Sequence, residues 1–328
     1  MKVLVTSKSF GRVAPDAVEM LKSNGIEVVW GSRPSMTASE IAAEIGGADA
    51  LVVGNDTVDA GVFAAADRLR IVHMHGTGLD AIDVASATDK GILVANAPGA
   101  NRNAVAELTV ALMLVTARAI DRHIDILKSG RWERTAGYEV SGKTVGVIGL
   151  GNIGQRIVEL LAGFNVGVIG FDVNPDTEWA ERSAVALAAS ADEVFAEADF
   201  VVLALSLNEK TKGFVDARRL GLMKRSAYLI NTARGGLVDE AALCAALRDK
   251  QIAGAAIDVF DPEPLPLESP LRTCGATLTP HLAATSVESA GNVSRIVARN
   301  LVDVLLHGRT GCAVNPGALE HRIRKKMI

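Results

Sequence analysis

A glycine run in a fixed local context constrains this chain more than any other feature. Gly149-Leu150-Gly151-Asn152-Ile153-Gly154 stands between an apolar β-type stretch, 144–148, and a helical one, 155–161. A second β-type stretch, 166–171, follows and ends at Asp172. Strand, glycine turn, helix, strand and acid in that order make the fingerprint of a dinucleotide-binding βαβ unit. Each part has a mechanical reason. Gly149 permits the tight strand-to-helix turn, Gly151 removes a side chain that would block a pyrophosphate, and Gly154 lets the helix pack closely on the sheet. The amides around Asn152 and Ile153, at the helix start, face the phosphates, where the helix dipole favours negative charge. Asp172 is suited to accept hydrogen bonds from the adenosine ribose hydroxyls and to repel a 2′-phosphate. No arginine follows it before Arg182, so the expected cofactor is NAD rather than NADP.

The bulk numbers bound the rest. At 328 residues the chain has room for two domains with large apolar cores. With 49% hydrophobic and 22% charged residues, it has the balance of an ordinary soluble protein. A net charge of -4 gives no reason to expect nucleic acid or an anionic membrane as partner. The longest apolar helical segment, 104–119, is interrupted by Glu107, Thr109, Thr116 and Arg118, which argues against a membrane span. Residues 1–6 read as a buried strand and not as a secretory leader. Cys244, Cys274 and Cys312 are widely spaced and odd in number, which suggests reduced thiols in a cytoplasmic protein.

Short β-branched runs at 2–6, 27–30, 50–53, 70–75 and 92–96 alternate with helical stretches near 14–24, 38–45, 60–66 and 84–89. Thr37-Ala38-Ser39-Glu40 has the capping-box spacing that starts a helix. Such alternation implies a parallel sheet covered on both faces. Pro98-Gly99-Ala100-Asn101 breaks the pattern, a long helix is expected over 103–118, and a polar stretch over 121–141 leads into the fingerprint. Beyond Asp172, strands are expected at 199–205, 227–232, 254–259 and 277–279, making six in this second block. The segment 287–328 reads as a helix and an irregular tail that return to the first block. The expected class is therefore α/β, with two doubly wound parallel-sheet domains. A Rossmann NAD-binding domain, 101–285, is inserted into a flavodoxin-like substrate domain, 1–100 and 286–328, with the substrate in a cleft between them.

A nicotinamide enzyme acting on a hydroxyl or carbonyl needs a proton donor near neutral pH and a cation to orient an acidic substrate. Three strand ends in the second block offer them. The strand 227–232 runs into Ala233-Arg234-Gly235, 254–259 into Phe260-Asp261-Pro262-Glu263, and 277–279 into Pro280-His281. Strand C-terminal ends are where open α/β sheets place their ligands. His281 is the candidate acid/base, and Glu263 the partner that fixes its tautomer and stabilises imidazolium. Arg234 offers a planar fork for a carboxylate. Thr232, Ala233 and Asp258 fall on the cofactor side, with Asp258 placed to hold the nicotinamide carboxamide. Singly, Arg234 reads as a surface arginine, Glu263 as a turn acid between prolines and His281 as a capping side chain. Their joint placement favours a catalytic set. His73 and His75 share one face of a strand, but with no further ligand motif nearby no metal is expected. His75, preceding Gly76, is instead a candidate for the substrate side. Trp132 suggests a subunit contact, and the basic run 322–326 a solvated end.

The segments Asn231-Thr232-Ala233-Arg234-Gly235-Gly236-Leu237-Val238-Asp239, Asp258-Val259-Phe260-Asp261-Pro262-Glu263-Pro264 and Pro280-His281-Leu282-Ala283-Ala284 resemble the signatures of the D-isomer-specific 2-hydroxyacid dehydrogenases. The likeness covers nearly the whole chain and is closest to the phosphoglycerate dehydrogenase-like branch. It implies a catalytic set of Arg234, Glu263 and His281, with Gly76-Thr77-Gly78 giving backbone amides to the substrate carboxylate. It also implies a homodimer built largely through the cofactor domain and the segment 120–141. Formate dehydrogenases of this superfamily carry Gln where this chain has Glu263, which argues against formate. Two departures stand out. The loop Gly54-Asn55-Asp56-Thr57 lacks the basic residue that meets phosphate in phosphoglycerate dehydrogenases, leaving Arg102, beside Asn101, as a candidate distal-anion contact. The chain ends at Ile328 without room for a serine-sensing domain, so feedback inhibition by serine is not expected.

The expected activity is NAD-dependent interconversion of a D-2-hydroxy acid and its 2-oxo acid, with D-3-phosphoglycerate as the leading substrate. Reduction of hydroxypyruvate or glyoxylate, or oxidation of another distal-anion acid such as sulfolactate, are the alternatives. An NAD(H)-sensing interaction protein that keeps the same motifs is the alternative of another class.

Overall fold

A computed structural model describes residues 1–319 of the chain. Two compact units compose it, one of residues 1–101 with 285–319 and one of Arg102–Ala284.

The first unit opens as β1 (Lys2–Val5), α1 (Pro15–Ser23), β2 (Glu27–Trp30), α2 (Ala38–Glu44) and β3 (Ala50–Val53). It continues with α3 (Ala60–Ala65), β4 (Ile71–Met74), α4 (Val84–Asp89) and β5 (Leu93–Ala95). The strands are parallel in the order β2-β1-β3-β4-β5, the flavodoxin-like arrangement. Alternation decides which core each side chain enters. Ala50 and Val52 of β3 join Leu21 of α1 on one face, while Leu51 and Val53 join Ile41 and Val62 on the other. Helix starts are set locally. Thr37 and Glu40 form the capping box anticipated from their spacing, and Asp59 and Asp83 cap α3 and α4.

The second unit begins with α5 (Arg102–Ala117), α6 (Ile120–Lys128), β6 (Thr144–Ile148), α7 (Asn152–Leu161), β7 (Gly167–Phe171), α8 (Thr177–Arg182) and β8 (Val185–Leu187). It then runs through α9 (Ala191–Glu197), β9 (Phe200–Leu203), α10 (Ala217–Leu222), β10 (Tyr228–Asn231), α11 (Glu240–Arg248), β11 (Gly254–Ile257) and β12 (Thr277–Leu278). Its parallel sheet has the order β12-β11-β10-β9-β6-β7-β8, which reverses direction beside β6 as a Rossmann sheet does. Two expectations need correction. The sheet has seven strands where six were expected, because β8 is an edge strand of three residues with only Val185 buried. Part of the stretch expected to be merely polar is the helix α6, whose charged residues conceal a short apolar face.

The chain re-enters the first unit as α12 (Val287–His307). Val293, Val297, Leu301 and Leu305 of α12 pack with Val3, Val5 and Leu21, covering the face that α1 leaves open. Gly308, at φ 64, ends the helix in the left-handed conformation that glycine tolerates. Asn315 then fastens the following segment. Its Oδ1 accepts from the Val94 amide at 2.7 Å and its Nδ2 donates to the Ile92 carbonyl at 3.0 Å. The basic run 322–326 lies outside the described residues. Among the described residues no single helix is long and apolar enough to cross a membrane.

Candidate active site

Three loops at the C-terminal ends of β10, β11 and β12 meet in the second unit. In the first loop, the Asn231 side chain clamps the turn. Its Nδ2 donates to the Arg234 carbonyl at 2.8 Å and its Oδ1 accepts from the Ala233 amide at 3.1 Å. Thr232 is buried and bonds Thr109 of α5 at 2.8 Å, and the Arg234 guanidinium donates to the Ala233 carbonyl at 2.7 Å. Gly235 explains why an Arg-Gly pair stands here: a Cβ on it would run into the main chain of Phe260, in the β11 loop. Only glycine lets the two loops touch.

The β11 loop places Glu263 between two donors. Its Oε1 accepts from the Phe260 amide at 3.0 Å, and its Oε2 takes the His281 Nδ1 proton at 2.6 Å. A carboxylate on Nδ1 fixes the ring as the Nδ1–H tautomer and turns Nε2 outward, without a partner among the described residues. Burial works against the charge on Glu263. The His281 and Phe260 bonds outweigh it, the His281 and Arg234 charges assist, and the carboxyl stays below its ordinary range.

His281 itself sits at φ 51, a left-handed conformation uncommon for a residue with a side chain. Asp258 holds it there. The fully buried Asp258 carboxylate accepts from Thr279 Oγ1 at 2.6 Å and from the Leu282 and Ala283 amides at 2.9 Å. Its carbonyl accepts from the His281 amide at 2.7 Å. The sequence placed Asp258 toward the cofactor; in the fold its carboxylate is engaged in shaping the turn that presents His281.

The nucleotide side lies at the β6–α7 turn. Gly149 adopts φ 95, and a Cβ there would strike the Ala204 main chain at 2.6 Å. A Cβ on Gly154 would strike the Gly149 carbonyl. At Gly151 a Cβ would meet nothing, so open space lies over the turn. Ser190, Asp216 and Asp239 cap their helices with side-chain oxygens, whereas Gly151 leaves the first amides of α7, from Asn152 and Ile153 onward, without a side-chain cap. Those amides are ready for an anion. Asp172 accepts from the Leu150 amide at 2.8 Å and the Asn174 amide at 2.9 Å, which fastens it beside the turn with acceptor capacity to spare. These features fit NAD. Asp172→Asn is expected to weaken NADH binding about tenfold and to narrow the preference over NADPH, measured as dissociation constants by fluorescence. An unchanged NADH-to-NADPH ratio would remove Asp172 from ribose recognition.

In the first unit, the loop His75-Gly76-Thr77-Gly78 follows β4. Ala97 donates to the Gly76 carbonyl at 2.9 Å and Asn96 Nδ2 to the Thr77 carbonyl at 2.6 Å. The carbonyls are thereby turned toward the β5 exit, while among the described residues no acceptor takes the amides of Gly76, Thr77 or Gly78. Asn101 is buried, with Nδ2 3.5 Å from Thr77 Oγ1 and Oδ1 without a partner among the described residues. Arg102 is exposed at the first position of α5. His75 was expected to face a substrate, yet its ring is occupied on both sides, by Ser9 Oγ at Nδ1 and Ser294 Oγ at Nε2, each at 2.9 Å. Sequence reasoning missed both serines. His73 is likewise engaged, with Nδ1 donating to the Met74 carbonyl at 2.8 Å and Nε2 accepting from Asn300 at 3.0 Å. The described residues contain no cluster of three metal-ligating side chains.

Comparison with known proteins places this geometry. The family model for the D-isomer specific 2-hydroxyacid dehydrogenase, NAD binding domain, matches residues 110–283. The chain is 41% identical over 310 residues to D-3-phosphoglycerate dehydrogenase of Methanocaldococcus jannaschii, covering 93% of this chain and 57% of that protein. It thus spans little more than half the length of that relative. It is 37% identical over 295 residues to glyoxylate reductase of Pyrococcus horikoshii, covering 87% of this chain and 88% of the other. Among solved structures, a Thermus thermophilus protein superposes with a TM-score of 0.86 at 33% identity, over 96% of this chain and 100% of that one. Because the matched model runs through the glycine turn, the Arg234 loop and His281 itself, the chain belongs to the D-isomer specific 2-hydroxyacid dehydrogenase family.

Proposed function

We propose that the protein is an NAD-dependent oxidoreductase interconverting a D-2-hydroxy acid and its 2-oxo acid, with D-3-phosphoglycerate as the leading substrate. The observation that carries this is the 2.6 Å bond between Glu263 and His281, which leaves Nε2 facing outward beside the Arg234 loop. NAD, when bound, supplies or accepts the hydride at the substrate C2. His281 Nε2 gives its proton to the 2-oxo oxygen in reduction and takes the hydroxyl proton in oxidation. Glu263 keeps Nδ1 protonated throughout and balances the charge the ring acquires. Arg234 is the cation that orients the substrate carboxylate and carbonyl oxygen. In the first unit, the amides of Gly76, Thr77 and Gly78 are donors suited to a carboxylate. The first unit is the substrate-binding domain and the second the NAD-binding domain.

Oxidation of NADH with 3-phosphohydroxypyruvate, sulfopyruvate, hydroxypyruvate and glyoxylate tests this. Turnover of at least one acid, lost in His281→Ala, is expected. Tight NADH binding with no turnover of any acid would leave the NAD(H)-sensing protein as the surviving account. Reduction of glyoxylate or hydroxypyruvate is the second reading. It is favoured by the chain's match to nearly the full Pyrococcus glyoxylate reductase and by a β3 loop that carries no cation.

The protein also acts as a homodimer in this proposal, in the reducing cytoplasm that its free cysteines suit. Ile120, Ile124 and Leu127 line one face of α6 and are each at least 40% exposed, with Trp132 nearby in sequence and 81% exposed. Leu127→Asp with Ile124→Asp is expected to convert a dimer to a monomer in light scattering. A wild-type monomer at micromolar concentration would end the dimer proposal.

A further inference from the structure

The first unit carries a rigid loop that no catalytic role has used so far. Its sheet order places the topological switch point between β1 and β3, where doubly wound sheets bind ligands. The loop on the β3 side, 54–57, carries no cation. Asp56 is buried there, its carboxylate taking Thr6 Oγ1 at 2.6 Å, the Met36 amide at 2.8 Å and the Gly54 amide at 3.2 Å.

The β1 side is different. Thr6 and Ser7 both donate their amides to the Val52 carbonyl, at 2.9 and 3.4 Å. Ser7 and Phe10 are buried, and the Gly11 amide donates to Ser294 Oγ of α12 at 3.2 Å. Ser9 Oγ reaches across the end of β3 to His75 Nδ1, whose other nitrogen meets Ser294. The His75 ring also stands edge-on to Phe10, with centroids 5.8 Å apart. Ser7, Ser9, Phe10 and Gly11, which flank Lys8, are thus each held by a bond or by burial.

Proton bookkeeping shows what this clasp leaves over. Ser294 has one hydroxyl proton and gives it to the Ala290 carbonyl at 2.8 Å. It must therefore accept from His75 Nε2–H, which makes Nδ1 the acceptor and Ser9 the donor. The Ser9 and Ser294 hydroxyl protons are both spent within the protein. Lys8 is not: it is exposed, stands next to Ser9, and bonds no carboxylate among the described residues. Gly76, the first of the unpaired amides, directly follows His75. The Ser9–His75 contact therefore sets the ammonium and the amides on adjoining loops of one unit.

We propose that Lys8 is a specificity-determining residue that binds a tetrahedral oxyanion, phosphate or sulfonate, at the far end of the substrate. Its carboxylate then lies on the Gly76–Gly78 amides, and Ser9, His75 and Ser294 act as positioning residues for the loop. This rests on the 2-hydroxy acid activity proposed above. It assigns the distal anion to the β1 loop instead of to Arg102 or the loop after β3.

The test compares kcat/KM for 3-phosphohydroxypyruvate and sulfopyruvate with that for hydroxypyruvate, in the wild type, Lys8→Met and Lys8→Arg. The wild type is expected to prefer an oxyanion-bearing acid. Lys8→Met is expected to reduce that preference about 10- to 100-fold, through KM more than kcat, and Lys8→Arg to recover most of it. NADH binding by each variant confirms folding. A preference ratio in Lys8→Met within about twofold of wild type overturns the assignment, as does loss of the ratio through Arg102→Met alone. A wild type that reduces hydroxypyruvate or glyoxylate but shows no preference for either oxyanion also overturns it, while leaving the dehydrogenase activity standing. No turnover of any acid overturns both.

Discussion

His281→Ala is expected to lower kcat about a thousandfold while NADH binding stays within about twofold of wild type. The size follows from what the side chain alone can do. Its Nε2 is the outward-facing nitrogen to which the proton transfer is assigned in the proposal, and Glu263 spends one oxygen on Nδ1 and the other on the Phe260 amide. Glu263 can therefore not replace it without breaking a bond that holds the loop. Glu263→Gln separates the two functions of the carboxylate. The amide oxygen can still accept from Nδ1, so the tautomer is kept, but the charge that balances imidazolium is gone, and the new NH2 cannot accept from the Phe260 amide. A loss of about 10- to 100-fold is expected in NADH-driven reduction, where the ring must carry its proton, together with a shift of the alkaline limb of the kcat/KM profile to lower pH. Structural damage alone would lower the profile without moving it. Steady-state kinetics across pH, paired with NADH titration, check both variants. If His281→Ala keeps a tenth of wild-type kcat, proton transfer runs through another group and the roles assigned here are wrong.

The parts of this site that a sequence exposes are those carried by contiguous residues. Gly149, Gly151, Gly154 and Asp172 lie within one βαβ unit, so their spacing reports a single turn and its partner strand. Arg234, Glu263 and His281 are far apart along the chain, yet each follows a short apolar strand, and parallel strands bring their C-terminal ends together. That rule was enough to predict the Glu263–His281 contact. The strands themselves were placed within about two residues, because buried parallel strands read as unbroken β-branched runs.

What stayed hidden depends on tertiary partners. Ser294 lies 219 residues from His75, and nothing in its helical neighbourhood marks it as a ligand of an imidazole. Asp258 looked like a residue presented to a ligand, but which lone pairs a carboxylate has free depends on the loop folded over it. In α6, Asp121, Arg122, His123 and Asp125 outweighed the Ile120, Ile124 and Leu127 spacing that identifies a helix. Its apolar face is exposed, so no core demanded it. β8 was too short and too exposed to carry a pattern.

The acid stability of the first unit is set by a residue with no part in the chemistry. His73 is fully buried in β4, and burial, only partly offset by its bond to the Met74 carbonyl, lowers its pKa from 6.5 to about 4. An unfolded chain takes up the His73 proton as pH falls below 6.5, whereas the folded chain refuses it until about 4. Stability is therefore full above pH 6.5, declines as pH falls, and has lost about 3 kcal/mol from this group near pH 4. His75, also lowered to about 4 by burial and by the His73 charge, adds to the same window. Paired surface carboxylates do not compete there. Arg33 holds Glu40 at about 2, so its contribution disappears only at lower pH. Urea unfolding of the first unit, followed through Trp30 with Trp132 and Trp179 replaced by Phe, should show a falling midpoint between pH 6.5 and 4.5. His73→Gln, whose amide does not titrate, should start less stable at pH 7 yet lose roughly half as much over that range. An equal decline in the variant would mean that the proton is taken up elsewhere.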